Sequence, residues 1–133
     1  MSITLIAAVV IVAAIAIWYA MSNQQHDTTT STARRITPQQ YQTTYASRDH
    51  LLVDVRTPEE FATGHIPGAV NIPLPSLPER MATLPHDRPI ILYCSSGVRS
   101  REAAKILTQG GFSDVHDLGG ISEWRNQGLP VTQ

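Results

Sequence analysis

The residues best suited to chemistry form one polar run around the single cysteine of this 133-residue chain. Cys94 follows the apolar run 90–93. The next residues are small or polar apart from one valine: Ser95, Ser96, Gly97, Val98, Arg99 and Ser100. In such a loop between a strand and a helix, backbone N–H groups point inward, and the helix N-terminus adds about half a positive charge. Because donors that bind anions also stabilise a thiolate, the run predicts a nucleophilic sulfur in an anion-binding loop.

Several side chains of this loop have predicted roles in binding a substrate. Gly97 allows a left-handed or closely approached backbone. Arg99 supplies a permanent cation with a planar fork for an oxyanion, and Ser100 offers a hydroxyl donor at the helix start. A lone cysteine is more often a small buried hydrophobic residue, but that role does not need the polar residues that follow. We therefore expect Cys94 to be catalytic and residues 95–100 to bind the substrate.

Short strands and helices that alternate along the chain must position this loop. Apolar runs typical of strands cover 51–55, 69–72, 90–93 and 115–118. Caps, prolines and amphipathic spacing indicate helices at 37–45, 58–62, 77–84, 99–109 and around Trp124, which we expect to pack in the core. The alternation predicts an α/β fold with an open, mainly parallel sheet flanked by helices, whose ligands bind at the carboxyl ends of the strands.

The first twenty residues predict a transmembrane helix. Only Thr4 is polar between residues 3 and 20, and eighteen residues at ~1.5 Å each span about 27 Å, close to a ~30 Å hydrocarbon core. No base precedes the apolar run, which disfavours a cleaved signal peptide. We expect membrane contact through residues 3–20, a flexible linker over 21–35 and a folded domain over 36–133. Since the nearest bases, Arg34 and Arg35, follow the span, we expect a single-pass protein of the inner (cytoplasmic) membrane with its catalytic domain in the cytoplasm.

Composition excludes several other classes of function. Of 11 acids only Asp27 precedes residue 34, so the folded part carries ten acids against ten bases, which argues against nucleic-acid binding. One cysteine excludes an internal disulfide and a zinc site built on several thiolates. The five histidines lack the spacing of metal ligands, so we expect no metal.

Four motifs in order give the chain a resemblance to the rhodanese domain in its single-domain form, over residues 36–131. They are residues 52–56 with Glu60 and Phe61, residues 64–69 with 71–73, residues 94–100, and residues 118–120 with Trp124, Gly128, Pro130 and Val131. The resemblance implies a rhodanese-like sheet and a sulfurtransferase that works through a cysteine persulfide. The Cys94 thiolate would take the outer sulfur of a small anionic donor such as thiosulfate and pass it to cyanide or a thiol. The resemblance to this family implies no cofactor.

Residues outside the loop have weaker predictions. Asp54 resembles the family's aspartate that supports the active-site loop, and we expect it to orient loop amides. Arg56 is expected to pair with Glu59 or Glu60 at the sheet edge. His65 could act as a base, but its turn-rich segment favours a hydrogen-bonded structural histidine.

Two alternatives to this enzyme stay open. Phosphatases and arsenate reductases of related fold also combine a cysteine, an amide cradle and an arginine, but they place five residues between cysteine and arginine. Here four residues intervene. A membrane-tethered sulfur carrier or protein-interaction module with little turnover, working with a protein acceptor, is the other alternative.

Overall fold

The computed structural model describes residues 3–22 and 32–133, with side chains from residue 7 onward in the first range. Helix α1 spans Ile3–Ser22. Across the described residues, no helix is both long enough and apolar enough to cross a membrane. The predicted anchor over residues 3–20 is therefore not supported. Most of the predicted linker, residues 23–31, lies outside the described residues.

Five parallel strands form one sheet in the described part of the chain. Their bounds are β1 Arg34–Arg35, β2 Leu51–Asp54, β3 Val70–Asn71, β4 Ile90–Cys94 and β5 Val115–Gly120, in the spatial order β1-β5-β4-β2-β3. The expected open parallel sheet is confirmed. Strand β1 was not expected, because two residues at the end of a polar segment carry no strand pattern. They pair with His116 and Asp117 at the edge of the sheet.

The helices follow the predicted segments closely. They are α2 Pro38–Gln40 with a π-helical turn over Tyr41–Tyr45, α3 Pro58–Ala62, α4 Leu77–Arg80 between 3-10 turns over Leu74–Ser76 and Met81–Thr83, α5 Val98–Gln109 and α6 Ile121–Asn126. Helices α2 and α3 begin with the same device. Thr37 and Thr57 each accept a hydrogen bond from the backbone of the residue three positions on, whose side chain accepts one in return. With proline at the first helical position, these starts are encoded locally.

Side chains alternate along β4 and build a core on each face of the sheet. Ile90, Leu92 and Cys94 belong to the cluster that packs with α5, whereas Ile91 and Tyr93 belong to the cluster on the other face. Trp124 lies in the second cluster and is buried, as expected. The Cys94 side chain therefore lies on the face of the sheet that α5 covers.

Candidate active site around Cys94

Cys94 is the last residue of β4, and its sulfur faces the loop that leads into α5. The residue has 0% exposed surface. The Gly97 backbone N–H donates a hydrogen bond to Cys94 Sγ at 3.0 Å. Gly97 has φ 98° and caps the N-terminus of α5, a conformation that glycine adopts without a Cβ clash. An amide donor and the positive end of a twelve-residue helix thus face the sulfur, an arrangement that stabilises negative charge there.

The end of β5 supports the other side of this loop. A Cβ on Gly120 would lie 2.5 Å from the Ser95 carbonyl oxygen and 2.9 Å from Ser96 Cα. The Ser122 N–H also donates to the Ser95 carbonyl at 3.4 Å. Only a residue without a side chain allows this approach of the two backbones. Sequence reasoning missed this role of Gly120, for which the glycine pair at the end of a strand was the available signal.

The predicted substrate-binding residues of the loop differ in their exposure. Ser96 and Val98 are exposed and Ser95 is half-buried. Ser100 is fully buried, and its hydroxyl donates to Asp117 Oδ1 at 2.7 Å. The Gly119 N–H donates to the same oxygen at 2.8 Å. Contrary to expectation, the Ser100 hydroxyl points toward β5 and ties the first turn of α5 to the sheet.

Arg99 lies at the start of α5, but its guanidinium is already paired. Nη1 donates to Glu60 Oε1 at 2.6 Å and Nη2 to Glu60 Oε2 at 2.9 Å, with each side chain 34% exposed. The hydrogen bond from Arg99 lowers the pKa of Glu60 to about 2, and the same bond raises the pKa of Arg99. Arg99 therefore lies beside the loop, and a carboxylate from α3 offsets its charge. Its role in substrate binding stays a prediction.

The predicted pairing of Arg56 with Glu59 or Glu60 is wrong. Arg56 is 2% exposed and binds both oxygens of the fully buried Asp54, at 3.0 Å from Nε and 2.7 Å from Nη2. Its Nη2 also donates to the Gly64 carbonyl at 2.8 Å. A guanidinium this deeply buried requires a paired carboxylate, and Asp54 is the acid at the same strand end. Asp54 thus holds Arg56 and the following turn, in place of the predicted loop amides.

His65 has the contacts of a structural residue. Its Nδ1 lies 3.0 Å from the Phe61 carbonyl, and its ring stacks on the Phe61 ring at 3.7 Å between centroids. Its backbone exchanges two hydrogen bonds with Thr132. These contacts support the structural interpretation made from the sequence.

Comparisons with known proteins identify the family of the chain. The family model of the rhodanese-like domain matches residues 37–127. A sulfurtransferase from Allochromatium vinosum is 46% identical over 86 residues, which cover 64% of this chain and 80% of the relative. The thiosulfate sulfurtransferase GlpE from Stutzerimonas stutzeri is 40% identical over 96 residues, 70% of this chain and 85% of the relative. A crystal structure of a rhodanese-related protein from Thermoplasma volcanium superimposes with a TM-score of 0.67 at 32% identity, covering 74% of this chain and 97% of that one. The chain therefore belongs to the family of rhodanese-like domains.

Proposed function

We propose that this protein is a sulfurtransferase that carries a sulfane sulfur on Cys94. The observation that carries the proposal is the 3.0 Å hydrogen bond from the Gly97 N–H to Cys94 Sγ at the N-terminus of α5. This backbone N–H donates a hydrogen bond to the sulfur and favours its thiolate form, which is the nucleophilic form of cysteine. The loop amides of residues 95–98 are the proposed cradle for the transferred sulfur and for the oxyanion of the donor.

The first step is the attack of the Cys94 thiolate on the outer sulfur of thiosulfate. A sulfur–sulfur bond forms to Cys94, the sulfur–sulfur bond within thiosulfate breaks, and sulfite leaves with its electron pair. In the second step, cyanide or a thiolate attacks the terminal sulfur of the persulfide. Cys94 leaves as the thiolate, so the cycle needs no external oxidant or reductant. With one cysteine in the chain, the persulfide has no internal thiol to resolve it, which favours an external acceptor.

Thiosulfate as donor is supported by the relative from Stutzerimonas stutzeri that is described as a thiosulfate sulfurtransferase. Four residues separate Cys94 from Arg99, a loop smaller than that of the phosphatases of related fold. A carrier with a protein acceptor remains the second candidate, favoured if Cys94 loads rapidly while transfer to cyanide is slow. The cytoplasmic location of the domain stays a prediction, which protease treatment of spheroplasts tests.

Intact-mass measurement of the full chain tests the mechanism. Reduced protein is expected to gain the mass of one sulfur atom with thiosulfate and to lose it on addition of cyanide. Cys94→Ala is the matched control and is expected to gain nothing. No gain by reduced wild-type protein would contradict the proposal, and so would an equal gain by the Cys94→Ala variant.

A further inference from the structure

The loop around Cys94 carries one guanidinium whose charge is offset within the fold. Glu60 holds Arg99 through both carboxylate oxygens, at 2.6 and 2.9 Å. The backbone N–H of Thr57 donates to the same Oε1 at 3.3 Å, which fixes the carboxylate at the start of α3. The pair is therefore anchored on two helices and is only partly open to solvent.

Arg99 lies in the first turn of α5, two residues after Gly97, whose N–H contacts Cys94 Sγ at 3.0 Å. Consistent with this placement, the pKa of Arg99 is raised mainly by Glu60 and further by negative charge on Cys94. A free guanidinium there would attract a doubly charged donor more strongly than a singly charged one. With Glu60 in place, the two side-chain charges sum to zero, and the amides and the helix N-terminus are left to attract the donor.

We propose that Glu60 is a specificity-determining residue that lowers the preference of Cys94 for doubly charged sulfur donors relative to singly charged ones. The part of the inference that concerns sulfur donors rests on the proposed function. Relative to a site with an unpaired Arg99, the substrate range shifts toward sulfur donors with less negative charge than thiosulfate, and thiosulfate itself remains a substrate. Glu60 acts through Arg99 and changes the electric field at the sulfur, with no part in bond making.

Alkylation of Cys94 measures this field without any sulfur transfer. Iodoacetate and iodoacetamide have similar size and the same leaving group but differ by one negative charge. Because the chain has one cysteine, every carboxymethyl or carbamidomethyl thioether forms at Cys94. In Glu60→Gln, the ratio of the iodoacetate rate to the iodoacetamide rate is expected to rise about three- to tenfold at low salt, the order of magnitude for loss of one negative charge near a reacting anion. This increase in the ratio is expected to be smaller at about 1 M salt, where the Debye length is about 3 Å.

Glu59→Gln is the matched control. It removes the same charge from the neighbouring exposed residue of α3, and no ion pair involving it occurs among the described residues. Glutamine at position 60 preserves the helix cap, since Gln40 makes the equivalent cap with Thr37. The rate ratio is expected to stay constant in Glu59→Gln. A purely structural role of Glu60 would change both rates together and leave the ratio unmoved, which would overturn the inference. Failure of both reagents to reach Cys94 would overturn it as well, because a closed site selects no donor by charge.

Thiosulfate and methanethiosulfonate extend the test to sulfur donors. In methanethiosulfonate a methyl group replaces one oxyanion, so the molecule has one negative charge, and attack by Cys94 releases methanesulfinate. The rate of persulfide formation from thiosulfate, relative to that from methanethiosulfonate, is expected to rise in Glu60→Gln and not in Glu59→Gln. If the alkylation ratio rises but neither donor loads sulfur, the proposed function fails while the assigned effect of Glu60 on the field stands. If both donors load with unchanged relative rates, the inference fails and the sulfur transfer stands.

Discussion

Replacing Gly120 by alanine would place a methyl group against the backbone of the cysteine loop. Gly120 has φ −99° and ψ 139°, angles that any residue adopts, so alanine adds no backbone strain of its own. The added Cβ would lie 2.5 Å from the Ser95 carbonyl oxygen and 2.9 Å from Ser96 Cα. Both atoms belong to the main chain and cannot rotate away. The loop must therefore move.

The size of the effect follows from these distances. Relief of the contact requires a shift of about 0.5–1 Å, and overpacking of this kind costs about 1–3 kcal/mol of unfolding free energy. For a domain of this size that lowers the Tm by about 4–8 °C for each kcal/mol. The same shift disturbs the 3.0 Å contact between the Gly97 N–H and Cys94 Sγ. A misplacement of about 1 Å at a reacting group can lower a rate by about a hundredfold, so we expect persulfide formation to slow by about ten- to a hundredfold.

Calorimetry and the rate of mass gain with thiosulfate measure the two effects on the full chain. Gly110→Ala is the control, because Gly110 also has an ordinary φ of −80° and the atom nearest its added Cβ is Met81 Sδ, in a flexible side chain. We expect this control to keep the loading rate of the wild type. A Gly120→Ala variant with the wild-type Tm and loading rate would refute the idea that the loop requires a residue without a side chain at the end of β5.

Three further predictions concern stability. Arg56→Leu leaves the buried Asp54 carboxylate unpaired, and urea unfolding is expected to show a loss of about 3–5 kcal/mol; a loss below about 1 kcal/mol would contradict the pairing. Ser100→Ala removes a donor to Asp117, with an expected loss of about 1–3 kcal/mol in the same assay, and an unchanged midpoint would argue that this bond adds nothing. Since the pKa of Glu60 falls from 4.5 to about 2 on folding, its contribution to stability is present above about pH 4.5 and is lost as the pH falls toward 2. The difference in stability between wild type and Glu60→Gln should therefore shrink over that range, and a constant difference would speak against the ion pair.

Much of the fold could be predicted from local sequence. Helix α3 has the predicted bounds, Pro58–Ala62, because Thr57, Pro58 and Glu60 encode its start within four residues. The strand before Cys94 and the helix after Gly97 were likewise visible, since apolar runs and amphipathic spacing reflect which side chains a strand or helix buries. The order of the elements and the loop around the sulfur follow from such signals. Strand β1 could not be predicted in this way, because its two residues form a strand only through their pairing with β5.

The tertiary structure decides which charged residues form ion pairs. Glu60 and Arg99 are 39 positions apart and meet because α3 and the start of α5 lie at the same end of the sheet. Asp54 and Arg56 are two positions apart, yet their pairing was missed, since only burial makes it more favourable than an exposed pair with Glu59 or Glu60. Gly120 is needed because the loop after β4 packs on the end of β5. Local patterns report the preference of a segment for helix, strand or turn, whereas the strength and choice of an ion pair depend on distance and solvent exposure, which exist only once the chain has folded.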